Sequence, residues 1–241
     1  MKILAIDTSG LVASVALVED DVLRAEYIMN DKKTHSQTLL PMLEGLKEMI
    51  GLELNTVDAI AIAAGPGSFT GLRIGSATAK GLGFALERPL VEVPTLEALA
   101  YNLYGTDKLV CPMMDARRSQ VYTALYEYRR QGEGYELCTL REQCVVEVAQ
   151  IVEVCNQLGR EVIFLGDGVP VYEAQIREKT TVPYSLAPAH VNRQRAGSVA
   201  ALGTVYAARG QLVSAAQHQP IYLRKSQAER EREEANDHQG A

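Results

Sequence analysis

With 241 residues, 47% of them apolar, the chain has material for one large domain or two small ones with well-packed cores. Its formal net charge of -6 excludes a global electrostatic attraction to nucleic acid, so any RNA must be held largely by something else. No apolar run approaches the roughly 20 residues that span a bilayer, and no secretory signal precedes the first apolar run, so a cytoplasmic protein without membrane contact is expected.

From the N-terminus, KILAIDT, VASVALVE and VLRAEYI are strand-length runs rich in branched apolar residues, the last two joined at Asp20-Asp21. They predict three adjacent antiparallel strands. In THSQTLLPMLEGLKEMIG, Leu39, Leu43, Leu46 and Ile50 recur at helical spacing; Thr34 or Ser36 can cap, Gly51 can terminate, and Pro41 fits best near the first turn. Leu40, Met42 and Met49 widen the apolar stripe, which suits either a helix sandwiched in its own domain or one with a second face for another helix. DAIAIAA, from Asp58, suits a strand covered on both sides. The glycine-rich GPGSFTGLRIG, residues 65–75, then launches a helix through about Ala85, followed by the short strand PLVEV and a helix over about 95–104.

The order then restarts. KLVCPMMD, from Lys108, mirrors KILAID, from Lys2, each an apolar strand ending in an acid, Asp115 and Asp7. SQVYTALYEYR and GYELCTL supply two strands, VVEVAQIVEVCNQLG a helix, and EVIFLGDG a strand that ends in a glycine turn at Gly166 and Gly168. Matching element order predicts a duplicated α/β protein of two lobes with a cleft, residues 1–105 and 106–223. A last helix within 192–210, roughly 195–209, either closes the second lobe or returns to the first. Residues 224–241 form a charged tail without core residues, predicted to be disordered.

The glycine loop fits neither familiar phosphate motif. Gly71 follows Gly65 and Gly67 one residue too late for a dinucleotide fingerprint, and Gly71-Leu72-Arg73 lacks the lysine and hydroxyl of a Walker loop. What remains is a helix N-terminus with Ser68 and Thr70 as capping oxygens, which either attracts an anion or is a tight strand-to-helix turn. Small residues at four-residue spacing, Gly71 and Gly75, Ala77 and Gly81, Ala79 and Gly83, invite close approach of another backbone, either within the domain or from a partner. Asp7, Thr8, Ser9 and Asp115 end the twin strands, where an acid can hold a metal through water or simply bond its neighbouring turn. Arg117 and Arg118 either neutralise Asp115, meet an anion or are plain surface.

His35, His190, His218 and His238 show no HxxxH or HExxH spacing, and no histidine is identifiable as a base for Ser9, Ser68 or Ser119. Neither a metal site nor nucleophilic catalysis is therefore predicted. Cys111, Cys138, Cys144 and Cys155 form no CxxC pair and read as reduced, mostly buried thiols.

MKILAIDTS, THSQTLLPML, AIAAGPGSFTGLRIGSATAKGLGFAL, VPTLEALA and the late PIYLR together resemble the TsaB family of bacterial tRNA threonylcarbamoyladenosine biosynthesis proteins along essentially the whole chain, GPGSFTGLR being the most specific segment. The resemblance implies an actin-like, Hsp70-like and sugar-kinase-like (ribonuclease H-like) duplicated two-lobe α/β fold with mixed sheets. It implies a noncatalytic role beside a paralogous catalytic subunit, TsaD, with TsaE and ATP, in modifying the adenosine next to the anticodon of ANN-decoding tRNAs. ATP would be used by the assembled complex, no cofactor held firmly by this chain, tRNA touched only indirectly, and the chain alone would be a homodimer.

TsaD-like proteins carry an HxxxH metal pair where this sequence has Thr95 and Leu99, so the resemblance implies no metal here. It further implies that the helix after the glycine loop and the helix over 35–50 meet TsaD or a second copy through His35, Leu39, Leu40, Met42, Leu43, Gly71, Arg73, Ile74, Gly75, Thr78, Ala79 and Leu82. Asp7, Thr8, Ser9, Asp115, Gly166 and Gly168 would remain as a vestigial nucleotide cleft. A small-molecule kinase or ATPase using Asp7 is the competing reading.

Overall fold

The computed structural model describes residues 1–31 and 34–224; the expected charged tail thus lies, from residue 225 on, outside the described residues. Strands β1 (Lys2–Asp7), β2 (Ala13–Glu19) and β3 (Val22–Met29) form the predicted antiparallel meander. Asp20 and Asp21, at φ 49° and 63°, make the tight hairpin turn, a left-handed pair that suits the twist of the flanking strands. β4 (Ala59–Gly65) then lies parallel to β1, and β5 (Leu90–Pro94) parallel to β4, giving the order β3-β2-β1-β4-β5.

Both faces of this sheet are covered, which is why β1 and β4 read as continuous apolar runs. Leu4, Ile6, Ile60 and Ile62 point to one side and pack with Leu39, Leu43, Leu46 and Ala79 from α1 (His35–Ile50) and α2 (Phe69–Leu86). Ile3, Ala5, Ala61 and Val93 point to the other and pack with Val199, Ala200 and Leu202 of the last helix, α6 (Ala196–Ala208). The last helix thus returns to the first lobe. Arg195 and Glu26 pair at its start, where the Gly197 N–H also donates to Glu26 Oε1 at 2.8 Å.

The second lobe repeats the plan. β6 (Leu109–Asp115), β7 (Gln120–Gln131), β8 (Gly134–Glu147), β9 (Val162–Leu165) and β10 (Tyr184–Leu186) form a sheet of order β10-β9-β6-β7-β8, which read in reverse is the order of the first. α4 (Val148–Leu158) and α5 (Gly168–Lys179) pack on it through Ile151, Val152, Tyr172 and Ile176. Between the lobes, α3 (Thr95–Tyr101) buries Leu96, Leu99 and Ala100 against Val110, Met114 and Tyr126. The fold is the expected duplicated, two-lobe α/β architecture.

Several boundaries differ from the sequence expectation. Pro41 sits inside α1 rather than in its first turn; the Gln37 carbonyl that loses an N–H partner there is on an exposed residue, where water can replace it. α3 ends at Tyr101, short of residue 104. VVE of VVEVAQIVEVCNQLG extends β8, because Glu147 is the N-cap of α4 and forms a reciprocal capping box with Gln150. α5 and β10 add a helix and a short strand beyond the elements expected from the sequence. Cys111 and Cys155 are buried, Cys138 and Cys144 half-buried, and all four are free thiols. Among the described residues no helix is long and apolar enough to cross a membrane.

Candidate functional site

The glycine loop folds inward onto the turn after β1. The Ser68 N–H donates to the Ser9 carbonyl at 2.7 Å, the Ser68 hydroxyl accepts from the Gly71 N–H at 3.3 Å, and the Thr8 hydroxyl donates to the Gly71 carbonyl at 2.8 Å. Of the two expected capping oxygens, Ser68 fills that place, while Thr70 already lies within the helix. A side-chain carbon at Gly67 would stand 2.2 Å from the Ser9 carbonyl oxygen, and one at Gly71 2.1 Å from that of Thr8. The glycines here let two backbones touch, and two of the N–H groups that could have met an anion are already bonded.

The twin loop is built alike. Gly166, at φ 111°, presses on the Met113 carbonyl, where an added carbon would be 2.1 Å away, and a carbon added to Gly168 would stand 3.0 Å from the same oxygen. Between the two loops lies a cavity of about 500 Å³ whose walls include Ser9, Ser68, Asp115 and Asp167. Asp7 and Thr8, each 1% exposed, lie behind that wall.

Asp7 Oδ1 accepts from the Ser9 N–H at 2.9 Å and hydroxyl at 2.6 Å, while Oδ2 has no partner. Burial pushes its pKa up to about 6, against the opposing pull of the Ser9 bonds and of His35. Asp115 Oδ1 accepts from the Arg117 N–H and the Tyr172 phenol, both at 2.8 Å. The Tyr172 hydroxyl is pushed up to about 12 by burial and by Asp115. The acids at the strand ends are therefore engaged with their own turns. Asp167, raised by burial, keeps one oxygen without a partner.

On the other flank, the residues expected to meet a partner divide into two sets. Gly71, Gly75 and Ala79 of α2 face their own sheet, as do Leu39, Met42 and Leu43 of α1. A side chain at Gly75 would strike Thr8 and Ile62, so these positions present nothing outward, and their small size serves the lobe's own packing. Leu40 and Arg73 are exposed, while His35, Ile74, Thr78 and Leu82 are half-buried. His35 Nε2 lies 2.9 Å from the Gly10 carbonyl, and the Arg73 guanidinium sits 4.0 Å over the Phe69 ring. Also exposed are Ala77, Gly81 and Phe84 on α2 and Met49 near the end of α1, Phe84 at 62% and Met49 at 77%. The Ala77–Gly81 spacing was visible in the sequence, but spacing alone does not tell the inner small pair from the outer one.

The structure also brings one serine to one histidine. His218 Nε2 lies 2.8 Å from Ser76 Oγ, and its Nδ1 2.6 Å from Glu92 Oε1. Residues 142 apart in sequence carry no local signal of such a meeting. Ser76 is on the buried face of α2 and His218 is 1% exposed, so this trio fastens the segment after α6 to α2 and β5 rather than facing a substrate.

At the positions expected to differ from an HxxxH pair, the Thr95 hydroxyl accepts from the Gly65 N–H at 3.1 Å and Leu99 is part of the interlobe core. Among the described residues no group of three or more His, Cys, Asp or Glu is placed to hold a metal ion.

The model of the family described as "TsaD: tRNA N6-adenosine threonylcarbamoyltransferase" matches residues 23–232. The chain is 36% identical over 207 residues to the tRNA threonylcarbamoyladenosine biosynthesis protein TsaB of Bacillus subtilis, covering 84% of this chain and 87% of that one. It is 31% identical over 230 residues to the Escherichia coli protein of the same name, covering 95% and 96%. YeaZ from Pseudomonas aeruginosa, a solved structure 31% identical, superposes with a TM-score of 0.74 over 92% of this chain and 99% of that one. The two mixed sheets and their shared strand order give the duplicated two-lobe α/β fold that the resemblance implies. The chain belongs to the TsaB family of tRNA threonylcarbamoyladenosine biosynthesis proteins, within the wider family described by the TsaD model.

Proposed function

We propose that this chain is a noncatalytic, cytoplasmic subunit that supports TsaD in forming N6-threonylcarbamoyladenosine next to the anticodon of ANN-decoding tRNAs, docking through the outer face of α1 and α2. The observation that carries the reading is the composition of that face. Leu40 and Met49 on α1, and Ala77, Gly81 and Phe84 on α2, leave apolar and small groups exposed to solvent. Small residues let a facing helix approach closely, and apolar ones gain from leaving water. In this reading two such faces form a four-helix contact, with TsaD in the complex and with a second copy when the chain is alone.

Two further features support a division of labour. Thr95 and Leu99 are committed to packing and offer no imidazole, so metal-assisted transfer belongs to the partner. Asp7, the acid a kinase or ATPase reading would use, is buried behind the cleft wall and bonded to Ser9. ATP is then consumed by the assembly with TsaE and not held firmly by this chain, and tRNA contacts run through the partner, in keeping with a net charge of -6.

Reconstitution tests this reading. With TsaD, TsaE, the adenylate-forming enzyme, ATP and tRNA supplied, modification is expected only when this chain is added, and the chain alone is expected neither to modify tRNA nor to turn over ATP. Threonylcarbamoyl transfer by the isolated chain would overturn the noncatalytic assignment.

A further inference from the structure

The late PIYLR segment is accounted for neither by the partner face nor by the cleft acids. After α6 the chain runs back along the first lobe. Val213 exchanges backbone hydrogen bonds with Leu90 of β5 at 2.8 and 2.9 Å, and Lys80 Nζ donates to the His218 carbonyl at 3.0 Å. The chain then turns across the mouth of the cleft, where residues 221–224 form part of the cavity wall.

In the first lobe the segment is seated at two points. The Ile221 N–H donates to the Ala64 carbonyl at the end of β4, at 2.7 Å, and the Ile221 carbonyl oxygen occupies the space a side chain on Gly65 would fill, 2.3 Å from that carbon. The Tyr222 ring packs on Phe69, with centroids 4.8 Å apart. In the second lobe it is seated at one. The Arg224 guanidinium donates to the Ala116 carbonyl at 2.7 Å, at the start of the turn after β6.

That turn needs holding. Arg117, Arg118 and Ser119 stand at φ 64°, 55° and 58°, three consecutive non-glycine residues in the left-handed region, an arrangement that persists only where neighbouring contacts fix it. The Ala116 N–H already bonds the Gln120 carbonyl at 3.0 Å, and Arg224 adds a charge-assisted bond from the opposite lobe.

We propose that residues 221–224 act as an intramolecular clamp: Ile221 and Tyr222 anchor in the first lobe, Arg224 grips the second, and the bridge holds the two lobes at one separation across the cleft mouth. A ligand spanning the lobes is not required for that rigidity. The inference stands on these contacts alone and is independent of the partner reading.

Hydrogen–deuterium exchange on the full chain tests it, comparing the parent with Arg224→Ala and Arg224→Lys. A charge-assisted bond of ordinary strength predicts that Arg224→Ala speeds amide exchange by about tenfold or more, both in the 116–120 turn and in the 64–70 loop of the other lobe. Amides of α1 and α4 keep their rates, and Arg224→Lys restores part of the protection. Unchanged exchange in both loops would overturn the clamp. Faster exchange in the 116–120 turn alone would also overturn it, since Arg224 would then be a local cap. Should Arg224→Ala fail to fold, Tyr222→Ala is read in the same way, with the same two loops expected to respond together.

Discussion

Gly71 and Thr8 are locked together twice: the Thr8 hydroxyl donates to the Gly71 carbonyl at 2.8 Å, and the Thr8 carbonyl oxygen stands where a side chain on Gly71 would begin. The start of α2 is thereby pinned to the end of β1, and the glycine-rich loop reads as a fastening of helix to sheet. Gly81, ten residues further along α2, has no atom within 4 Å of the corresponding position. The two glycines therefore respond oppositely to one added methyl. Gly71→Ala is expected to lose more than about 2 kcal/mol, because backbone must move, whereas Gly81→Ala should gain about 0.5–1 kcal/mol from helix propensity. Urea unfolding of both variants measures the contrast.

Asp7 makes stability depend on pH in a direction that can be isolated. Its carboxyl is held at about 6 in the folded chain by burial, above its ordinary value of 3.8. Between those values the folded state binds the proton more tightly than the unfolded one, so the contribution present at low pH is lost as pH rises through about 6. Asp7→Asn keeps an acceptor for Ser9 and removes the titration. Its stability relative to the parent should climb by about 2–3 kcal/mol from about pH 4 to pH 8 and then level off, as read from urea midpoints across pH. A difference that is flat with pH would mean that Asp7 is not held protonated in this way.

The sequence carried the meander, the parallel strands and the duplication because each rests on a local pattern: alternating or continuous branched runs, capped helical stripes, and an acid closing each first strand. α6 is apolar on most of its circumference, so its sequence points to neither lobe; Val199 and Leu202 pack with Ile3 and Val93 of the first sheet. α5 begins at the glycine turn itself, contains Pro170 and has Tyr172 outside helical geometry, all of which mask a helical period. The meeting of Ser76 with His218 depends on the whole path of the chain after α6. The inner and outer small residues of α2 repeat at the same spacing, so only the position of the sheet separates Gly75 from Ala77.

His218 is the fastening of the final segment. Its imidazole bonds Ser76 on one side and Glu92 on the other while fully buried as a side chain, and His218→Ala leaves both partners to find new ones. A loss of about 2–4 kcal/mol is expected in chemical unfolding, with little change for a surface control such as Gln219→Ala.

Glu26 holds α6 against the edge of the first sheet. Its side chain is 7% exposed and accepts from both Arg195 and the Gly197 N–H. Glu26→Ala removes one side of that arrangement and leaves a guanidinium and a helix-start N–H without it. The expected cost is about 2–4 kcal/mol in urea unfolding, with earlier proteolytic opening of α6 than of α4.

The role proposed for this chain rests on the outer face of α1 and α2, and sedimentation velocity with TsaD tests that face most directly. Gly81→Glu adds a charge where no atom lies within 4 Å, so the lobe's own packing is left intact. The account predicts that the folded Gly81→Glu variant no longer co-sediments with TsaD under conditions in which the parent chain does. Undiminished association of that variant would contradict it.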